Sequence, residues 1–186
     1  MAVYEEGKNY TKVVVPAPGT YENCIFNHCQ WQEANLTNYV FTSCEFKQCD
    51  LTLASVNGTT FNGVIFTGCR LTGIGFHQAD LHLFDVAFND CAMPLVSFVG
   101  RNLTGTEFMA NQLKESDFTE CNLTDASFKA CNLEGAIFRE CVLENTAFHE
   151  AEGVELQLDQ NRVKGARFRT DQLPALVRSF KIQLHG

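Results

Sequence analysis

The chain has 186 residues and a formal net charge of −8, and 45% of its residues are apolar. That length fits one domain or a short repeat array, and the apolar content excludes a disordered chain. The negative charge argues against direct binding to nucleic acid, because such affinity rests on Lys and Arg side chains that neutralise phosphates.

The charge is unevenly distributed along the chain. Asp and Glu outnumber Lys and Arg by 9 to 4 in residues 1–100 and by 12 to 4 in residues 101–160, whereas Lys and Arg lead by 6 to 1 in residues 161–186. No secretory signal pattern opens the sequence, and no apolar stretch approaches the length of a membrane span. We therefore expect a soluble cytoplasmic protein with an acidic body, a basic tail and no membrane partner.

Residues 1–20 are predicted to form an N-terminal cap. They contain the apolar run Val13 to Val15, which Pro16, Pro18 and Gly19 then interrupt. Such a segment suits the open end of a repeat array, where unpaired strand edges need a cover. Two packings are consistent with it: pairing with the first coil, or folding over that coil.

A five-residue period begins at Tyr21. Large apolar residues recur at every fifth position, and from Cys121 to Phe148 each follows a small residue two positions earlier. A period of five matches neither the 3.6 of a helix nor the 2 of a plain strand. In an extended triplet the first and third side chains share one face, so both can point inward while two further residues form a corner. The large residues are Tyr21, Phe26, Trp31, Leu36, Phe41, Phe46, Leu51, Val56, Phe61, Phe66, Leu71, Phe76 and Leu81.

This pattern resembles the pentapeptide-repeat family, whose idealised unit is A(D/N)LxX. The unit is seen in Ala34-Asn35-Leu36, in Ala79-Asp80-Leu81 and, with Cys as the small residue, in Cys131-Asn132-Leu133. The resemblance implies an all-β fold, a right-handed quadrilateral parallel β-helix with four units per coil. Residues 21–168 are then expected to form about seven coils.

The period breaks after Leu81, because the next large residue in phase is Phe88. Either two residues are inserted within residues 82–87, or one unit has lost three. With the insertion, one side of a four-unit coil carries only phenylalanine; with the deletion, that side changes to leucine. We therefore predict a two-residue bulge. The resulting column is Phe26, Phe46, Phe66, Phe88, Phe108, Phe128, Phe148 and Phe168.

Residues 169–186 are predicted to form a capping helix and a short strand from Ile182 to Leu184. Thr170 or Asp171 can cap the helix, and its apolar residues follow helical spacing. The segment resembles the ends of family members that protect DNA gyrase, the quinolone-resistance and microcin-immunity proteins. That resemblance implies a homodimer formed through the C-termini. The interface candidates are Leu173, Leu176, Val177, Phe180, Ile182 and Leu184.

The nine cysteines stand at small positions of the repeat and lack the C-x-x-C spacing of zinc sites. Because Cys is small and often buried, we expect these residues to fill the core rather than to bind a metal. The five histidines are scattered, and no nucleophile and base are brought together. The sequence thus predicts a protein that is not an enzyme and needs no cofactor.

The acidic exterior carries the functional hypothesis. The four-unit register places Glu115, Asp117, Glu120 and Glu140 along one side, and Asp125 and Glu144 at the following corner. A rigid rod with spaced carboxylates can imitate the charge of DNA and bind in a basic channel that normally accepts DNA. The resemblance implies that the protein partner is DNA gyrase and that binding protects it from a poison. Two alternatives remain: an interaction scaffold with an unknown partner, and acidic residues that only keep the rod soluble.

Overall fold

A computed structural model describes residues 2–181. Ten short strands, one four-residue α-helix and four 3₁₀ turns make up the regular structure of this part. The strands are β1 (Val3–Glu6), β2 (Asn9–Thr11), β3 (Gly19–Glu22), β4 (Ile25–Asn27), β5 (Val40–Thr42), β6 (Glu45–Lys47), β7 (Thr60–Thr67), β8 (Phe84–Asn89), β9 (Glu107–Met109) and β10 (Ser127–Lys129). Helix α1 is Leu173–Leu176, and the 3₁₀ turns are Phe76–Gln78, Leu158–Gln160, Thr170–Gln172 and Arg178–Phe180.

The strands pair in parallel, each with the strand one coil further along. Phe26 lies opposite Phe46, and Phe46 lies opposite Phe66, so one coil takes 20 residues, or four five-residue units. Isolated bridges such as Asp50 to Arg70 continue the same register on sides where three-residue strands are not formed. The fold is therefore the four-sided parallel β-helix that the family resemblance implied, and its coil number agrees roughly with the expected seven.

Stacked aromatic rings fill the core. The phenylalanines of the predicted column lie with successive ring centroids 4.8 to 5.8 Å apart, from Phe26–Phe46 to Phe88–Phe108 and on to Phe168. A second column, Phe76, Phe98, Phe118 and Phe138, stacks at 5.0 to 5.3 Å. The two columns meet edge to face, as aromatic pairs prefer. This packing explains why a shift of register is costly.

The cysteines are buried and unpaired, and most of them also make a hydrogen bond that size alone does not explain. Cys121 Sγ donates to the Phe98 carbonyl oxygen at 3.0 Å, and Cys141 Sγ donates to that of Phe118 at 3.0 Å. Ser116 Oγ makes the corresponding bond to Met93 at 3.0 Å. The small position therefore favours a small residue with a donor, which satisfies a carbonyl of the preceding coil.

Asn111 interrupts a column of cysteines and satisfies two backbone groups at once. Its Oδ1 accepts from the Cys91 N–H at 2.8 Å, and its Nδ2 donates to the Phe88 carbonyl at 2.9 Å. We expect Asn111→Ala to lower the free energy of unfolding by about 2–4 kcal/mol, because both buried groups lose their partner. Asn111→Cys restores the donor and supplies only a weak sulfur acceptor, as Cys49 does for the Cys29 N–H at 3.3 Å, so it is expected to lose about half as much or less. Urea unfolding curves of the three proteins test this, and equal midpoints would contradict it.

The N-terminal segment combines both packings left open above. Strands β1 and β2 pair with β3 and β4 at a spacing of 16 residues, so Val3 lies opposite Gly19. Residues 13–18 then cross the end of the core and are held by aromatic donors from the first full coils. Trp31 Nε1 donates to the Val13 carbonyl at 2.9 Å, and Tyr39 Oη donates to that of Pro16 at 2.6 Å.

The break in the period has the net length of two residues, with Phe66 opposite Phe88. Asp80 still follows the 20-residue register, whereas Phe84 lies opposite Phe61, so three residues, 81–83, leave the coil. One residue is recovered directly afterwards, because Val86 lies opposite Val64. The irregularity begins at Leu81, one residue before the predicted range, and the rest of it lies within residues 82–87. Leu81 is 71% exposed instead of pointing inward. Phe84 packs there because its ring makes edge contacts with Phe61 and Phe76 that a leucine side chain cannot make.

The C-terminal cap is shorter than the predicted helix. Helix α1 has four residues between two 3₁₀ turns, and neither Thr170 nor Asp171 caps it through a side chain. Gln172 instead covers the last coil, since its Nε2 donates to the carbonyls of Phe148 at 3.2 Å and Ala151 at 2.9 Å. The predicted strand from Ile182 to Leu184 lies outside the described residues.

Candidate functional site

The four sides of the coil define the surface, and we number them by their inward large residues. Side 1 carries the column from Phe26 to Phe168, side 2 follows it with Trp31, Leu51, Leu71, Met93, Leu113 and Leu133, side 3 has Leu36, Val56, Phe76, Phe98, Phe118 and Phe138, and side 4 has Tyr21, Phe41, Phe61, Phe84, Leu103, Leu123 and Leu143. Residues at the corners adopt positive φ angles, so their side chains project from the edges of the rod.

The predicted acidic residues divide into two groups on these sides. Asp117 lies on side 3, Glu115 lies at the corner that precedes it, and Glu120 and Glu140 occupy the corner after it in consecutive coils. The corner residues Glu115, Glu120 and Glu140 are exposed, and Asp117 is half-buried. The structure thus places these four carboxylates along side 3. Glu144 lies on side 4, and Asp125 lies at the corner that follows side 4.

Local contacts leave these carboxylates unequally available. Glu144 is paired with Arg162 at 2.6 Å, and Asp125 accepts a hydrogen bond from Asn145 Nδ2 at 3.0 Å. Glu120 and Glu140, by contrast, make no ion pair within residues 2–181. Arg139 is the single arginine or lysine on side 3 in the described chain. Side 3 and its corners therefore present the most available negative charge among the candidates.

Sequence reasoning did not single out Arg101, which occupies a small position of the repeat and is 2% exposed. Its guanidinium donates to three backbone carbonyls, those of Phe76 at 2.6 Å, Ala79 at 2.5 Å and Asp80 at 2.7 Å. It also lies 4.5 Å from the centre of the Phe84 ring, a cation–π contact. Burial lowers the pKa of Arg101. The sequence did carry a signal for this role, because an arginine stands at a small position one coil after the break in the five-residue period.

Arg101 supports the loop that the inserted residues form. On the outer side of this loop, the Asp80 carboxylate accepts from the backbone N–H groups of His82 at 2.8 Å and Leu83 at 3.1 Å, and these bonds lower the pKa of Asp80. Leu81 and Leu83 are 71% and 52% exposed. The loop therefore presents two leucines on side 4, and hydrogen bonds from Arg101 and to Asp80 hold its base.

The described chain offers little for chemistry. Within residues 2–181, no three His, Cys, Asp or Glu side chains come together as a metal site does. Burial raises the pKa of Cys121 to about 12 and that of Cys141 to about 11, so these thiols stay protonated and unreactive at neutral pH. Also, no helix in the described part of the chain is long and apolar enough to cross a membrane.

Comparisons with known proteins agree with the fold. A family model described as a pentapeptide repeat region matches residues 20–98 and 82–168. Full-length QnrB1, a plasmid-mediated fluoroquinolone resistance protein, is 15% identical over 97% of this chain and all of its own, with a TM-score of 0.50. A trypsin-treated QnrB1 variant is 19% identical over 100% of this chain and 98% of its own, also with a TM-score of 0.50.

HetL, a pentapeptide repeat protein involved in heterocyst differentiation regulation in the cyanobacterium Nostoc sp. strain PCC 7120, is a more distant structural match. It is 17% identical over 90% of this chain and 83% of its own, with a TM-score of 0.42. No curated protein matches the sequence. At 15–19% identity and a TM-score of 0.50, the QnrB1 structures show a shared fold and nothing more.

Proposed function

This chain belongs to the pentapeptide-repeat family, and we propose that it is a non-enzymatic binding protein that imitates DNA. In this role it binds DNA gyrase or another type II topoisomerase at the site that accepts DNA. Its effect would be to displace DNA or a poison from the enzyme, with no chemistry of its own. We place the protein in the cytoplasm, where its nine free thiols suit a reducing compartment. The similarity in fold to QnrB1, a fluoroquinolone resistance protein, supports quinolones as the class of poison.

The observation that carries this proposal is the unpaired negative charge on side 3. Glu120 and Glu140 project from one corner in consecutive coils, which are roughly 4.8 Å apart. Each strand of duplex DNA carries one phosphate for about every 3.4 Å of helix axis. A basic channel that accepts a duplex can therefore meet a similar, though sparser, line of negative charge, and opposite potentials speed and orient such encounters.

The exposed leucines of residues 81–83 favour a second candidate function. Apolar side chains contribute nothing to an imitation of a phosphate backbone, but they suit a protein partner. The alternative is therefore a cytoplasmic scaffold that binds another protein unrelated to DNA topology. Both candidates are binding functions, and they differ in whether the carboxylates or the loop carry the contact.

Charge reversal on side 3 distinguishes the two candidates. Purified gyrase is assayed for DNA supercoiling with and without a quinolone and this protein. We expect the protein to inhibit supercoiling or to protect it from the drug, and Glu120→Lys with Glu140→Lys to abolish that effect at unchanged fold. The matched control is Glu107→Lys with Glu152→Lys, which makes the same change in net charge at exposed positions on sides 1 and 2.

Two outcomes would decide against the gyrase proposal. If micromolar wild-type protein neither inhibits nor protects, the topoisomerase is not the partner. If the control pair loses the effect as fully as the side 3 pair, overall negative charge matters and the particular carboxylates do not. Circular dichroism and the urea midpoint of each variant establish that the coil is intact.

We further propose that two copies pair through their C-terminal caps. Leu173 and Phe180 are 44% and 46% exposed, and Val177 is half-buried, so these residues are available to a second chain. Leu176 is not available, because it is 1% exposed against its own core and acts in the cap; this corrects its assignment to the interface. Of the remaining candidates, Ile182 and Leu184 lie outside the described residues.

Phe180→Asp tests the dimer. A buried, unpaired carboxylate at an interface is costly, so the substitution is expected to halve the molar mass in light scattering. Because Phe180 is already half exposed, the urea midpoint of the chain should change little. Leu176→Asp serves as the contrast, since it should destabilise the cap itself. An unchanged mass for Phe180→Asp would mean that the tail only covers the last coil.

A further inference from the structure

The corner between sides 2 and 3 carries an unusual apolar strip. Leu53, Gly73 and Leu95 occupy this corner in three successive coils, and the leucines are 56% and 55% exposed. A Cβ atom at Gly73 would lie only 2.7 Å from Leu53 Cδ2, so the glycine allows the Leu53 side chain to lie flat against the next coil. We refer to Leu53, Gly73 and Leu95 as the leucine ridge.

Both leucines are unfavourable for the fold at these positions. Their φ angles are +58° and +61°, in the left-handed region that Gly and Asn adopt far more readily than Leu. Their side chains are also more than half exposed to water, which forfeits most of the gain from burying an apolar group. Asn38, at the corner between sides 3 and 4, shows that a corner of this coil accepts the favourable residue. Strain and exposure together indicate a role outside folding.

The positions that directly flank the ridge are uncharged, and its two ends are acidic. The flanking residues are Thr52, Thr72 and Pro94 on side 2 and Ser55, Gly75 and Ser97 on side 3. Further out on side 2, Asp50 and Arg70 pair with each other at 3.5 Å. At the same corner, one coil before and one coil after the ridge, stand the exposed Glu33 and Glu115. With coils roughly 4.8 Å apart, the leucines are about 10 Å apart and the two carboxylates about 19 Å.

The backbone at this corner determines what kind of segment can bind. The N–H groups of Leu53, Gly73 and Leu95 each donate to a carbonyl of the next coil, at 2.9, 3.0 and 3.0 Å. No free strand edge runs along the ridge, so a partner cannot add a β-strand there. An α-helix satisfies its own backbone and needs only side-chain contacts. Two helical turns, about 10.8 Å, match the spacing of the leucines.

We propose that the leucine ridge is the docking surface for an amphipathic α-helix of a protein partner, with an apolar stripe over Leu53 and Leu95 and basic residues near Glu33 and Glu115. Such a helix has about 14 residues, because that length spans roughly 20 Å. This rests on the proposed binding function and specifies the chemistry of the partner. The ridge supplies apolar contact, and the carboxylates at its ends orient the helix along the rod.

The test uses a fluorescein-labelled peptide of leucine and lysine, about 14 residues long, with leucines at helical spacing on one face. Fluorescence anisotropy measures its binding to the full-length protein at about 0.15 M salt, where distant surface charges are largely screened. A peptide of the same composition in scrambled order reports attraction to the acidic protein in general. The variant is Leu53→Asn with Leu95→Asn, and the matched control is Ile65→Asn with Met109→Asn on side 1, where both side chains are 39–42% exposed.

The expected result is that the variant binds the peptide at least tenfold more weakly while its thermal midpoint is equal to or above that of the wild type. That combination separates a binding role from a structural one, because Asn relieves the backbone at both corners. The control should bind as the wild type does. Equal binding by the variant, equal loss in the control, or equal binding of the scrambled peptide would each overturn the proposal. Because the peptide assay contains no topoisomerase, its result does not depend on the outcome of the supercoiling experiment.

Discussion

Replacing Arg101 by Met is expected to lower the free energy of unfolding by about 3 kcal/mol or more. Methionine fills much of the volume of the arginine stem, but it leaves the carbonyls of Ala79 and Asp80 without the guanidinium. The Phe76 carbonyl keeps one partner, the Ala79 N–H at 3.0 Å. Each buried polar group that loses its partner costs about 1–3 kcal/mol. Arg101→Lys should fall between the two, because a single ammonium cannot span three carbonyls as a planar guanidinium does.

The loss should be concentrated at the inserted loop. Urea unfolding gives the global effect, and hydrogen exchange reports the backbone amides of Leu83 and Phe84, next to the carbonyls that Arg101 holds. Arg139→Met is the control, since Arg139 is exposed and such substitutions usually change stability by less than about 0.5 kcal/mol. If Arg101→Met is as stable as Arg139→Met and exchanges no faster at the loop, the buried guanidinium does not support the inserted residues.

The fold could be predicted from the sequence because the inward residues obey one rule over most of the chain. The choice of an insertion rather than a deletion also followed from it, since only the insertion aligns Phe66 with Phe88. The first residue of the insertion did not follow. A periodic rule assigns Leu81 inward by its phase, whereas the structure selects Phe84 for its contacts with Phe61 and Phe76. That selection depends on three-dimensional packing.

Similar limits apply to the candidate sites. The register was enough to align Glu115, Asp117, Glu120 and Glu140 on side 3, but it did not show that Glu144 is neutralised by Arg162. Helical spacing in the tail correctly marked Leu176 as apolar and could not say whether its own core or a second chain covers it. Sequence spacing predicts which residues share a face, but only the folded structure shows what packs against that face.

Burial in the folded coil makes the cysteines a source of pH-dependent stability. Burial raises the pKa of Cys44 and Cys121 to about 12 and that of Cys141 to about 11, whereas an unfolded thiol titrates near about 8.5. For an acid whose folded pKa is raised, the stabilisation is fully present below the unfolded value and is lost as pH rises towards the folded value. Stability should therefore fall between about pH 8.5 and pH 12, by up to about 1.4 kcal/mol per pH unit for each such thiol. Cys91 opposes this trend, because a hydrogen bond from Cys69 lowers its pKa.

Serine substitution separates thiol ionisation from other alkaline effects. In the triple variant Cys44→Ser, Cys121→Ser and Cys141→Ser, the hydroxyl can make the bond that Ser116 already makes to a carbonyl of the preceding coil, but it does not titrate in this range. We expect the urea midpoint of the wild type to fall steeply from pH 8 to pH 10 and that of the variant to fall less. The difference in thiolate absorbance between the wild type and the variant should rise only with unfolding, since the folded coil keeps these three protons. Identical pH slopes for the two proteins would show that these thiols are not the source of alkaline unfolding.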